Sequence, residues 1–161
     1  MDQWVETALR AAEKTGKLDG LEIEYDVSGG LPPPHYVSEQ FRLLVRDGHD
    51  VLEFATPNYD PKLPQGASYP KDIYTLPATP EDVKTIARLV LASGAFRESA
   101  SDAGAPAPAD ALRTELEVTG GGKTAKCVYL GREPAELPKL REAVEALIER
   151  VKAHGQHEVK P

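Results

Sequence analysis

A chain of 161 residues, 40% apolar and 28% charged, has the length and composition of one globular domain and is too apolar to remain disordered. Nineteen basic residues against 26 acidic ones give a formal net charge of −7, which repels phosphate backbones and anionic headgroups, so neither nucleic acid nor a membrane surface is expected as a partner. One cysteine, Cys127, excludes an internal disulfide framework and a Cys-rich zinc site, and no run of about 18 apolar residues exists to form a membrane-spanning helix.

Residues 2–14 place Trp4, Val5, Ala8, Leu9 and Ala12 on one stripe at helical spacing, with Asp2 positioned to cap the start and Gly16 to end the helix. No basic segment followed by an apolar one precedes it, so no signal peptide is read and a reducing, cytoplasmic setting is expected. Leu21, Ile23, Tyr25 and Val27 then alternate with Glu22, Glu24 and Asp26, which predicts a strand with one dry and one acidic face. Ser28, Gly29 and Gly30 end it. Leu31, Pro32, Pro33, Pro34 and His35 follow as an extended run, because proline fixes φ and biases the residue before it away from the helical region; this run is expected to leave the sheet at its edge. Phe41, Leu43 and Val45 alternate with Gln40, Arg42 and Arg46 in a second strand, Asp47-Gly48 signals a hairpin, and residues 51–54 form the returning strand.

Over residues 56–76 the alternation stops. Four prolines and three tyrosines (Tyr59, Tyr69 and Tyr74) make this a long loop, with a short edge strand over 72–76. The next helix is well marked: Thr79 caps it, Pro80 takes the first position, Glu81 and Asp82 favour the first turn, and Val83, Ile86, Ala87, Val90 and Leu91 form its buried stripe before Gly94. Residues 99–110 read as a mobile surface loop. Leu112, Thr114, Leu116 and Val118 alternate with Arg113, Glu115 and Glu117; Gly120, Gly121 and Gly122 make a turn, and residues 124–130 return. A closing helix over 138–153 buries Leu137, Leu140, Val144, Leu147, Ile148 and Val151, and the tail over 154–161 is expected to fray. The sum is an α+β fold, its antiparallel sheet built from hairpins and open-faced, with helices packed on one face. Residues 1–153 form one domain, with its N-terminal helix over 2–15 and the sheet and remaining helices over 20–153.

No set of residues matches a known enzyme class, and no cofactor or metal is expected. His154 and His157 stand at i, i+3, but on a tail without a helix to hold that spacing. His49 belongs to a hairpin turn. Cys127 lies in a strand with Lys123 and Lys126 as its only supporting charges, which describes an inert, half-buried thiol. Glu22, Glu24, Asp26, Glu115 and Glu117 share the wet face with Arg42, Arg46 and Arg113, as cross-strand ion pairs rather than a catalytic carboxylate pair. The glycine clusters lack the spacing of a phosphate cradle and serve as turns. Two loops remain: residues 28–36, stiffened by proline, and the long tyrosine loop. Rigid prolines and tyrosines supply contact area at low entropic cost, as a protein-binding surface requires.

The phrase Ile23-Glu24-Tyr25-Asp26-Val27-Ser28-Gly29-Gly30 resembles the opening strand of the emfourin-like family, proteinaceous inhibitors of thermolysin-type metalloproteases. The likeness continues through Leu76-Pro77, the helix spanning residues 81–91, Gly94-Ala95-Phe96, and Asp110 ahead of a strand, a Gly-rich turn, a second strand and a closing helix, covering roughly residues 21–150. The chain departs from that pattern in its N-terminal helix, its Tyr/Pro insertion and the Leu31-Pro32-Pro33-Pro34 that follows Gly-Gly. The resemblance implies a non-catalytic protein-binding module that inhibits a metalloprotease through Ser28, Gly29, Gly30, Leu31, Pro32, Pro33, Pro34 and His35, with Tyr59 and Tyr69 widening the footprint. The alternative reading is a structural or regulatory interaction domain with no protease partner, working through the exposed sheet face.

Overall fold

The structure, a computed structural model, describes residues 1–32, 35–60, 62, 69–96, 111–131 and 133–161. The elements run α1 (Gln3–Thr15), β1 (Glu22–Gly29), β2 (Val37–Arg46), β3 (His49–Pro57), β4 (Lys71–Pro77), α2 (Pro80–Ala92), β5 (Leu112–Gly120), β6 (Lys123–Leu130), α3 (Leu137–His154) and β7 (Gln156–Lys160). Each apolar–acidic alternation has become a strand, since successive side chains on extended backbone must point to opposite faces. The strands form one antiparallel sheet in the order β6-β5-β1-β2-β3-β4-β7. Hairpins join β1 through β4 in a meander, and the β5–β6 hairpin adds beside β1.

The dry face of the sheet supplies Ile23, Tyr25, Phe41, Leu43, Leu52, Phe54, Leu116, Val118 and Cys127 to a single core. Val5, Leu9 and Ala12 of α1 join them, with the α2 stripe and Leu137, Leu140, Val144, Ile148 and Val151 of α3. Each fully buried large aliphatic side chain contributes about 1.5–3 kcal/mol, so this one cluster holds the helices to the sheet. The fold is thus α+β with helices on one face of an open sheet.

Several details depart from the sequence reading. Asp2 makes no side-chain bond to the start of α1. Val45 and Leu112, expected on the dry face, are 39% and 46% exposed, because both lie near strand ends beyond the helical cover. β4 spans seven residues and is not an edge, because the tail expected to fray pairs with it as β7. Residues 99–110, read as a mobile loop, lie outside the described residues. The β7 strand is anchored by side chains: His157 stacks on Tyr74 with ring centres 4.5 Å apart, and its Nε2 lies 2.8 Å from Asp72 Oδ1. The chain can turn from α3 straight into β7 because residue 155 is glycine. A Cβ there would lie 2.5 Å from the Val151 carbonyl oxygen and 2.8 Å from that of Thr75.

Helix α2 is fixed at its start by a complete capping box. The Thr79 hydroxyl accepts from the Asp82 amide (3.1 Å), and the Asp82 carboxylate accepts from the Thr79 amide (2.8 Å). The same carboxylate pairs with Arg150 of α3, so one buried acid ties two helices together. Burial pushes the Asp82 carboxyl upward, but the bonds from Arg150 and the Thr79 amide outweigh it and hold it below its ordinary 3.8. A carboxyl lowered in the folded state contributes stability above its unfolded value and loses it as pH falls through the folded one. Replacing Asp82 with alanine is expected to cost about 1–3 kcal/mol at pH 7, the lost cap plus the lost pairing with the part-exposed Arg150. The gap from the parent, measured by urea unfolding, should narrow as pH falls below 3.8.

Candidate functional site

Gly29 closes β1, paired with Val37 on one side and Leu112 on the other. It holds φ at +125°, and a Cβ at this position would sit 2.7 Å from the Ala111 carbonyl oxygen. Only glycine lets β5 begin this close to the end of β1. Gly30 also has positive φ, +94°. Beyond it the chain turns back sharply, with the His35 amide donating to the Pro32 carbonyl at 3.0 Å. Leu31 is 61% exposed at this turn, and Pro32 and His35 are exposed as well. Pro33 and Pro34, also expected at the site, lie outside the described residues. The run does not leave a sheet edge, as expected from the sequence, but joins β1 to β2 in the interior of the strand order. Ser28 stands apart from the turn, in the ladder opposite Ser38 and Arg113.

The tyrosine loop meets this turn. β3 runs to Pro57 and β4 starts at Lys71, so the loop is shorter than the broken alternation suggested. The Asn58 amide donates to the Pro70 carbonyl at 2.7 Å, closing its base, and Asx turns at Asn58 and Asp60 shape its first residues. The Tyr59 hydroxyl donates to the Tyr36 carbonyl at 3.0 Å, and the Tyr59 and Tyr69 rings meet edge to face with centres 4.7 Å apart. Described residues of the two loops singled out in the sequence therefore meet through Tyr36, Tyr59 and Tyr69 to form one tip, and Leu31, Tyr36 and Tyr69 are exposed to solvent. Tyr74 does not belong to it; its ring lies in β4 between Phe54 and His157.

The outer sheet face is a lattice of charge. Arg42 pairs with Glu24 (3.4 Å) and Glu53 (3.8 Å), Arg46 with Glu53 (2.6 Å), Arg113 with Glu115 (2.5 Å), and Lys126 with Glu115 (3.3 Å) and Glu117 (3.9 Å). Glu53 was missed in the sequence because its neighbours Val51, Leu52, Phe54 and Ala55 hide the alternation; β3 is buried on both faces. Asp26 is the exception. Its Oδ1 is buried with no hydrogen-bond partner among the described residues, between Gln40 and Glu115 across the ladder. Burial, then the charge and hydrogen bond of Glu24 and the charge of Glu115, push this carboxyl up to about 8, with Arg42 acting in the opposite sense.

Cys127 is buried on the other face, where its thiol donates to the Ala95 carbonyl at 2.6 Å, and the Tyr129 hydroxyl donates to the same oxygen at 3.0 Å. Burial raises the thiol above its usual range despite the Tyr129 contact, which leaves it unsuited to nucleophilic attack. Of the pair His154 and His157, His157 is engaged with Asp72 and Tyr74. Among the described residues no three His, Cys, Asp or Glu side chains gather as metal ligands, and no helix is long and apolar enough to cross a membrane.

A cleft of about 680 Å³ opens between the dry face of the sheet and α3, below the strand ends that carry the tip. Tyr25 lies on its wall, with Arg141 and Glu133 paired alongside. No sequence signal marks it, because its walls come from β1, β2, β5, β6 and α3 and look like ordinary core and helix-surface positions.

Fold and site together define an open-faced α+β domain with a two-loop tip. No protein-family model and no curated protein sequence matches the chain.

Proposed function

We propose that this chain is a non-catalytic protein-binding module that docks through its tip, and that its partner is a thermolysin-type metalloprotease, as the resemblance to emfourin-like inhibitors implies. The observation that carries this reading is the convergence of the two loops, joined by the Tyr59 hydroxyl bond to the Tyr36 carbonyl. A loop buttressed in this way loses little freedom on docking, and Leu31, Tyr36 and Tyr69 offer an apolar anchor and aromatic contact area. The positive φ of Gly29 and Gly30 lets the chain turn as it leaves the end of β1, next to these exposed side chains. The outer face serves docking less well, because most of its charges already pair with one another.

Titrating the protein into a thermolysin-type protease, with peptide hydrolysis as readout, tests the proposal. Stoichiometric inhibition without digestion of the added protein is expected. Leu31→Asp, at a position too exposed to disturb folding, should weaken inhibition about tenfold or more. Digestion as a competing substrate, or no inhibition, overturns the protease partner. Full inhibition by Leu31→Asp overturns the tip.

A further inference from the structure

We infer that the cleft between the sheet and α3 is a binding site for a small amphiphilic cation, an apolar chain or ring carrying one primary ammonium group. The inference is independent of the tip and its partner. At about 680 Å³ the cleft has the size of small-molecule sites, and its walls include Val27, Phe41, Val144 and Ile148, which favour an apolar body.

The polar groups select the head. Tyr25 is 4% exposed, and among the described residues its hydroxyl has no hydrogen-bond partner of acceptable geometry. A buried, unsatisfied hydroxyl costs about 1–3 kcal/mol, which a bound donor or acceptor recovers. Arg141 faces this hydroxyl, but its charge is taken up by Glu133. Glu39 and Glu145 also line the cleft, both exposed, and neither has an ion-pair partner among the described residues. Four charged side chains therefore leave the cleft with an excess of two negative charges. The Glu145 carboxylate is near enough for its charge to act on the Tyr25 phenol, so an ammonium placed here meets an acceptor on each side. A carboxylate head would face Glu39 and Glu145 and gain only a guanidinium that is already paired. The net charge of −7 further favours a cation.

The test compares hexylammonium, hexanol and hexanoate, which share one apolar chain, by amide chemical-shift mapping and thermal shift at pH 7.5. Hexylammonium is expected to bind most tightly, shifting β1 and α3 signals, including Tyr25 and Val144. The Glu39→Gln/Glu145→Gln double variant, altered only at exposed positions, should weaken it about tenfold while leaving hexanol unaffected. Tyr25→Phe, which removes an unsatisfied hydroxyl and should fold at least as well, should weaken it about fivefold. Equal or tighter binding of hexanoate or hexanol overturns the cationic assignment. Shifts confined to other parts of the molecule, or none at millimolar ligand, overturn the site.

Discussion

Replacing Gly29 with alanine is expected to lower the unfolding free energy by about 2–4 kcal/mol, the largest loss for any single added methyl at the tip. Two costs combine. A φ of +125° is a conformation that L side chains rarely adopt, worth about 1–3 kcal/mol by itself. The added Cβ would also lie 2.7 Å from the Ala111 carbonyl oxygen, a backbone atom that moves only if the start of β5 moves. Gly30→Ala is the internal comparison. It has a similar φ, +94°, but its nearest obstacle is the His35 carbonyl oxygen at an ordinary 3.6 Å, so only the backbone strain remains. Thermal unfolding should rank the parent above Gly30→Ala and Gly30→Ala above Gly29→Ala, the last lower than the parent by about 5–15 °C. Equal Tm values for the two variants would mean that β5 does not press against the end of β1. Loss of pairing at Gly29 would also loosen the base of the tip, linking fold stability to the proposed docking surface.

The second large effect runs in the opposite direction. Asp26→Asn is expected to stabilise the protein at neutral and alkaline pH. The carboxyl stands at about 8 in the folded state against 3.8 ordinarily, so between those values the folded state holds a proton that the unfolded chain has released. Stability therefore falls as pH rises from about 4 to about 8 and is flat beyond that, as far as this group is concerned. The full span would be worth about 6 kcal/mol for a fully desolvated group, and the partial exposure of Asp26 reduces the realistic gain to about 1–3 kcal/mol. Asparagine keeps the shape, removes the charge beside Glu24 and Glu115, and offers them a donor. Urea unfolding from pH 4 to pH 9 should show the two proteins equal near pH 4 and diverging upward, with Asp26→Asn ahead. Parallel profiles would show that Asp26 is ionised and well solvated in the fold.

The tip was legible in part. Proline and tyrosine enrichment marked both loops, but their meeting depends on the Tyr59 hydroxyl reaching a carbonyl 23 residues away in the chain. The cleft was not legible. Tyr25 reads as one more dry-face residue, and only the placement of α3 against β1 sets Arg141 opposite its hydroxyl.

What the sequence determined by itself was local. Period-2 alternation assigned faces to β1, β2 and β5 because extended backbone permits no other arrangement. The Thr79–Asp82 box set the start of α2 through bonds between residues three apart. Asp47-Gly48 set a hairpin because both residues adopt positive φ, 53° and 77°. Tertiary structure decided whatever depends on which segments meet. The tail carries no periodic signal, yet it becomes β7 because β4 offers an unpaired edge and α3 delivers the chain beside it. Asp26 alternates like Glu22 and Glu24, yet only Asp26 has a buried, unpaired oxygen, because its cross-strand neighbours are Gln40 and Glu115 whereas Glu24 faces Arg42. Spacing along the chain sets the face of a residue; the register between strands sets its neighbours, and with them its charge.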